Sequence, residues 1–262
     1  MAAQIYMGNR DWLRGAFKNI KGFRAKDENG KFHLVMYDVD AGFGDTDMIL
    51  QVFNKGTGSL PTNFKNMLKY EPFKKQFIDA YCIMDGSVFE YNRCLPIITA
   101  MKNTVNKALQ LENLSADARA DLLISRFNDN EVRKPALKQS LKTAFNLGSE
   151  YTVNLKSNIQ QGVMLLNGQE IPTKNFNGYL FPPFVLTSSA PEGYLFKEWN
   201  INGERVTSDS ILHLSEEYPS GEYEIEVIYQ YVETKSLSPI RINEVSAGND
   251  TYINEYGKKN DW

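Results

Sequence analysis

The spacing of apolar residues changes once along this chain, and that change limits what it can fold into. Between about residue 61 and residue 147 they recur every three to four positions; after Ser149 they recur every second position. A period near 3.6 belongs to helices and a period of two to strands, and a segment patterned for one does not settle as the other. The expectation is an α+β chain, with helices first and a small all-β module after them.

In the helical part, "PTNFKNMLKYEPFKKQFIDAYCIM" puts Phe64, Met67 and Leu68, then Phe73, Phe77, Ile78 and Tyr81, on inward stripes, with Pro61 near the start. "EYNRCLPIITAMKNTVNKALQLE" continues with Leu95, Ile98, Met101, Val105 and Leu109. "SADARADLLISRF" opens on Ser115 as an N-cap. "NEVRKPALKQSLKTAFNLG" carries Leu137, Leu141 and Phe145 on one face and Gly148 as its stop. These stripes are expected in a core. Ahead of them, "FKNIKGFRA" and "KFHLVMYDV" flank "KDENGK", where Asn29-Gly30 suits a tight hairpin turn. After Ser149, runs such as "EYTVNLKS", "GVMLLNGQEI" and "GEYEIEVIYQYV" alternate and are cut by Gly, Pro, Asn and Ser. Gly193, Tyr194, Phe196 and Trp199 place aromatics in that module's core. "ETKSLSP", around 233–239, has the composition of a linker.

Composition excludes several function classes. At 262 residues the chain has room for two or three domains, and 42% hydrophobic with 23% charged residues supports packed cores rather than wholesale disorder. A net charge of -3 without a basic block offers no nucleic-acid surface. No apolar window is long enough for a membrane span, and the first residues lack a signal-peptide pattern. Cys82 and Cys94, with His33 and His213 far off in sequence, do not make a zinc site. They read as two buried thiols, with a short-loop disulfide as the alternative.

The chemistry concentrates in "MYDVDAGFGDTDM", residues 36–48, which carries Asp38, Asp40, Asp45 and Asp47. Such carboxylates repel one another unless a cation or a hydrogen-bonded turn absorbs the charge. An EF-hand loop counted from Asp38 fails, because Gly42 stands at its fifth position and Phe43 at its sixth, where glycine is required. The order of elements fits a phosphotransfer site better: Asp11, then Asn19, then a hairpin, then Asp38 and Asp40, then Gly42 and Gly44. Two residues apart on an extended backbone, Asp38 and Asp40 would point the same way and share one Mg²⁺. The plainer alternatives are that Asp38 caps a turn and that Asp45 and Asp47 cap the helix begun by "DMILQVF". Trp12 and Tyr37 are expected to pack, and Lys18, Lys21 and Arg24 to be solvated.

Taken together, "QIYMGNRDW", "NIKGFR", "YDVDAGFG", "FKNMLKYEPFKKQFIDAY" and "RKPALKQSLKTAFNL" resemble the spore coat protein H (CotH) kinase family of secreted atypical kinases. The resemblance covers residues 1–148 and implies a kinase-like C-lobe of a β-hairpin plus helices. It implies Asp11 as the catalytic-loop aspartate, Asn19 and Asp38 as holders of Mg²⁺ or Mn²⁺ with ATP, and Asp40 as their neighbour. It further implies Ser/Thr phosphorylation of a protein substrate at the cell surface or outside the cell. Asn19 stands farther from Asp11 than the family pattern has it, with "WLRGAFK" between them reading as a small insertion. The nucleotide-covering lobe would precede Met1, so this chain alone is expected not to catalyse the transfer. Residues 149–233 resemble a β-module appended to surface proteins of this family. Residues 234–262 read as linker and the first strand of a truncated lamin-tail domain, an immunoglobulin-like β-sandwich. The alternative function is a non-enzymatic surface adhesion or scaffold protein in which a degenerate lobe and the β-module bind a partner.

Overall fold

Helices form where the 3.6 period runs, but Pro72 cuts the first stretch in two. It has no N–H to give the carbonyl of Leu68, and the chain folds as α3 (Ser59–Met67) followed by α4 (Glu71–Ile83). Before them lie α1 (Ala2–Tyr6), the strands β1 (Lys21–Arg24) and β2 (Phe32–Val35), and α2 (Met48–Lys55). After α4 come a π-turn at Met84–Val88, α5 (Tyr91–Leu109), α6 (Asp117–Phe127) and α7 (Arg133–Phe145). The computed structural model describes residues 1–9, 11, 19, 21–27 and 30–232. Trp12, Lys18, Asn29, and the linker and lamin-tail strand expected after residue 233 lie outside the described residues.

The strands that follow are β3 (Tyr151–Ser157), β4 (Val163–Leu166), β5 (Gln169–Glu170), β6 (Phe176–Leu180) and β7 (Phe184–Ser189), then β8 (Tyr194–Ile201), β9 (Glu204–Thr207), β10 (Ile211–Leu214) and β11 (Glu222–Tyr231). They make a four-stranded sheet in the order β10-β7-β4-β5 and a five-stranded sheet in the order β6-β3-β11-β8-β9. In the larger sheet β11 runs parallel to β3, from Glu222 opposite Thr152 to Val227 opposite Ser157. Burial alternates along β3, as the period of two requires. The inner faces of the two sheets meet, with the Tyr151 and Phe184 rings 6.0 Å apart.

Helices and strands belong to one unit, Met1–Gln230, and one apolar cluster runs through both, from Ile5, Phe64 and Leu141 to Phe176, Trp199 and Val227. At the seam the π-turn lies against β6, and Gly86 permits it: a Cβ there would sit 2.5 Å from Cε2 of Phe176. Buried Asp79 on α4 accepts from Asn167 at 2.7 Å and pairs with Lys75 at 2.7 Å. Glu150 pairs with Lys138 at 3.0 Å and with Lys142.

Several expectations change in detail. α7 is stopped by Asn146, in the left-handed region at φ 52, rather than by Gly148. Asp47 occupies the N-cap of α2, but its carboxylate takes the Gln51 amide at 2.6 Å instead of a backbone N–H. Ser115 lies one residue ahead of the cap of α6, its hydroxyl accepting from the Asp117 N–H. The stripe on α5 is not core: Met101 is 62% exposed and Val105 45%. Cys82 and Cys94 are free thiols and both are buried. Tyr37 is exposed, with the Lys21 ammonium 3.6 Å from its ring centroid. Trp199 is fully buried. Among the described residues no helix is long and apolar enough to cross a membrane.

Candidate functional site

The site is built where the segment after α1 meets the loop after β2. α1 is short and its end is buried, so the chain at Met7–Asn9 runs through the interior. Gly8 takes φ 68 there, and a Cβ would lie 2.2 Å from the carbonyl oxygen of Asp45. Only glycine allows the two backbones to approach so closely. Next to it Asn9 is completely buried. Its amide donates to Gln4 Oε1 at 2.9 Å and to the Asp38 carbonyl at 3.3 Å, while its Oδ1 accepts from the Asp11 N–H at 3.2 Å. One side chain thus ties the backbone at Asp11 to the backbone at Asp38.

The loop itself is held from three other directions. The Phe43 N–H donates to the Met7 carbonyl. The Phe43 ring packs edge-on against Phe127 at 4.9 Å and Phe89 at 5.7 Å. Buried Arg133, from α7, donates to the carbonyls of Tyr6 at 3.1 Å and Asp45 at 3.5 Å. Arg119, from α6, donates to the Asp40 carbonyl at 2.8 Å. These contacts sustain two unusual backbone positions, Asp38 at φ 50 and Phe43 at φ 64. Non-glycine residues persist in that region only where their surroundings over-determine them.

Asp38, Asp40, Asp11 and Asn19 come together at this place. The Asp38 carboxyl lies above the usual carboxylate range. The first cause is its hydrogen bond with Asp40, then the Asp40 charge, with a further push from Asp11, while the Asn19 amide works in the opposite direction. Asp38 and Asp40 face each other because of the left-handed turn at Asp38, not because of the extended backbone expected from the sequence. Asn19 is itself left-handed, at φ 60. Asp11, Asp38 and Asp40 are exposed. Asp45 and Asp47 turn instead toward Gln51.

The donors are all hard oxygens. Mg²⁺ and Mn²⁺ take such ligands, and Mg²⁺ commonly uses one or two carboxylates and completes its shell with water and substrate phosphates. Among the described residues no three His, Cys, Asp or Glu side chains gather closely enough to hold a metal by themselves. The protein's share would therefore be the Asp38–Asp40 pair with the Asn19 amide, which fits that chemistry. Two carboxylates at hydrogen-bonding distance repel when both are ionised, and a divalent cation relieves that repulsion.

Sequence reasoning did not find Asn9, Gln4, Arg119, Arg133 or Asp85. Asp85, on the π-turn, is 3% exposed and accepts from the Tyr6 hydroxyl at 2.7 Å. Burial raises its pKa, partly offset by Lys134 and by that hydrogen bond. None of these residues lies in a motif with a chemical signature; the partners of Arg119, Arg133 and Asp85 are 79 residues away or more, Asn9 reaches the Asp38 carbonyl 29 residues on, and its contacts with Gln4 and Asp11 are local. No family model, curated protein or solved structure matches the chain.

Proposed function

We propose that this chain carries the metal-holding part of an atypical, CotH-like protein kinase that acts on Ser or Thr of surface proteins. The observation that supports the reading is the convergence of Asp11 and Asn19, from before the hairpin, with Asp38 and Asp40, from after it. When bound, Mg²⁺ with ATP would supply the phosphoryl group and the charge that neutralises it. Asp38 and Asp40, with the Asn19 amide oxygen, would hold the cation, and the Asn19 amide N–H orients Asp38. Asp11, exposed beside them, accepts the proton of the substrate hydroxyl at its carboxylate oxygen. Asn9 sets the spacing between the acid-base group and the metal pair by bonding to the backbone of both.

The test is titration calorimetry of the chain with Mn²⁺ and Mg²⁺. Asp38→Asn and Asp40→Asn are each expected to weaken binding about tenfold or more, because half of the paired charge is removed. Unchanged affinity in both variants would overturn the metal reading and favour a non-enzymatic surface scaffold. That scaffold would lose partner binding on removal of 150–233.

A further inference from the structure

A cavity of about 550 Å³ lies where the first turns of α4 meet the turn between β4 and β5. Pro72, Lys75, Gln76 and Asp79 line it from α4. At steps of three, four and seven from Pro72, they share one face of the helix. Tyr70 and Phe73 form its aromatic side, and Asn167 enters from the turn. Tyr70, at the N-cap of α4, is 66% exposed. Phe73 is held by Phe64, the ring centroids 6.4 Å apart. Ligand pockets commonly measure about 300–1,000 Å³ and combine such apolar surface with a few fixed polar groups.

The polar groups are fixed by one another. Asp79 is 2% exposed and still forms part of the cavity wall. One of its carboxylate oxygens accepts from the Lys75 ammonium and the other from the Asn167 amide, both at 2.7 Å. Asn167 is locked in turn: it stands left-handed at φ 47, and its Oδ1 accepts from the Val185 N–H at 2.8 Å. The Gln169 amide donates to the Gln76 carbonyl at 2.9 Å and ties β5 to α4. Hydrogen-bonding capacity is left over. Two of the roughly four acceptor sites of the Asp79 carboxylate are filled, and Lys75 and Asn167 each give it one N–H and keep others. Charge is not left over: Lys75 pairs with Asp79, and next to them Lys74 pairs with Glu71 at 2.7 Å.

These features select a ligand class. An ion gains nothing from a floor whose charges already cancel. A purely apolar ligand would strip water from Asp79 and Lys75 and leave their remaining valences unfilled. A hydroxyl donates and accepts at once, so it can give to the carboxylate and take from the ammonium or the amide. We propose that this cavity binds a neutral sugar ring, one unit of a glycan. Its C–H face lies against Tyr70 and Phe73, and its hydroxyls meet Asp79, Lys75 and the Asn167 amide, with exposed Gln76 at the rim. The inference is independent of the kinase reading, since none of these residues belongs to the aspartate site.

The experiment offers the chain maltose, cellobiose, mannobiose and N,N′-diacetylchitobiose, read by saturation-transfer NMR and by calorimetry. Sorbitol, which has the hydroxyls without the ring face, and digalacturonate, which adds charge, are run beside them. At least one neutral disaccharide is expected to bind, with Kd of about 1 mM or tighter, and more tightly than either comparison solute. Tyr70→Ala removes the exposed ring and is expected to weaken that binding about tenfold with circular dichroism unchanged. Gln76→Ala, at another exposed position, is expected to weaken it several-fold. Met101→Ala, an exposed apolar residue on α5, is the control and should bind as wild type does. No binding by any of the four disaccharides, or sorbitol or digalacturonate binding as tightly as the best of them, would overturn the proposal. So would wild-type affinity in both Tyr70→Ala and Gln76→Ala, or an equal loss in Met101→Ala.

Discussion

Asn9→Ala isolates the contact that joins the two halves of the aspartate site. The substitution removes a donor to Gln4 Oε1 at 2.9 Å, a donor to the Asp38 carbonyl at 3.3 Å and an acceptor for the Asp11 N–H at 3.2 Å. The first partner is fully buried, and Gln4 already has its amide nitrogen unpaired, so water cannot repair the loss. That group alone costs about 1–3 kcal/mol. Asp38 and Asp11 lie at the exposed end, where water replaces the protein partner and each loss is about 0.5–1 kcal/mol. Together the variant is expected to lose about 2–5 kcal/mol in urea unfolding followed by circular dichroism at neutral pH. Exposed Asn103→Ala, on α5, is the control and should change stability by less than about 0.5 kcal/mol. Gln4→Met combined with Asn9→Ala should cost less than the sum of the single variants, because the orphaned amide is then gone. A loss below about 1 kcal/mol for Asn9→Ala, or simple additivity in the double variant, would refute the bridging role.

Two further outcomes follow from the seam. Gly86→Ala places a methyl 2.5 Å from the buried Phe176 ring and is expected to cost about 1–3 kcal/mol, seen as a lower Tm; an unchanged Tm would mean that the π-turn and β6 part readily. Asp85 has a folded-state pKa above its unfolded one because burial outweighs the pull of Lys134, the Tyr6 hydroxyl, Lys138 and Arg133. Its contribution to stability is therefore complete below the unfolded pKa and is lost as pH rises through the folded value. Asp85→Asn lacks that loss, so the stability of wild type relative to the variant should fall as pH rises above the ordinary aspartate range; parallel pH profiles would contradict it.

Local pattern carried the fold further than it carried the site. The period of two survives in β3, and the helical stripes at Phe64, Phe77, Ile78, Tyr81, Leu137 and Leu141 are all buried. Met101 and Val105 have the same spacing and lie exposed, because periodicity defines a face and does not say whether anything covers it. The aspartates were legible as a charge problem, but not the turn that brings them together. That turn depends on Phe43 seating against Phe89 and Phe127, and on Arg133 reaching back 127 residues to Tyr6, which no local signal records. Asn146 in place of Gly148 shows the same limit on a smaller scale: either residue can adopt the left-handed stop, and the last packed turn decides between them.

The parallel pairing of β3 with β11 bears on how the molecule is made. β3 leaves the ribosome first among its sheet's strands and β11 last, yet they are neighbours in the middle of that sheet. Until Glu222–Val227 has emerged, one edge of β3 stays open and the five-stranded sheet cannot close. During synthesis the nascent strand therefore presents an unsatisfied backbone edge for the whole interval, the state in which a foreign strand can dock. Polypeptides halted shortly before residue 222 should be the ones most dependent on chaperones.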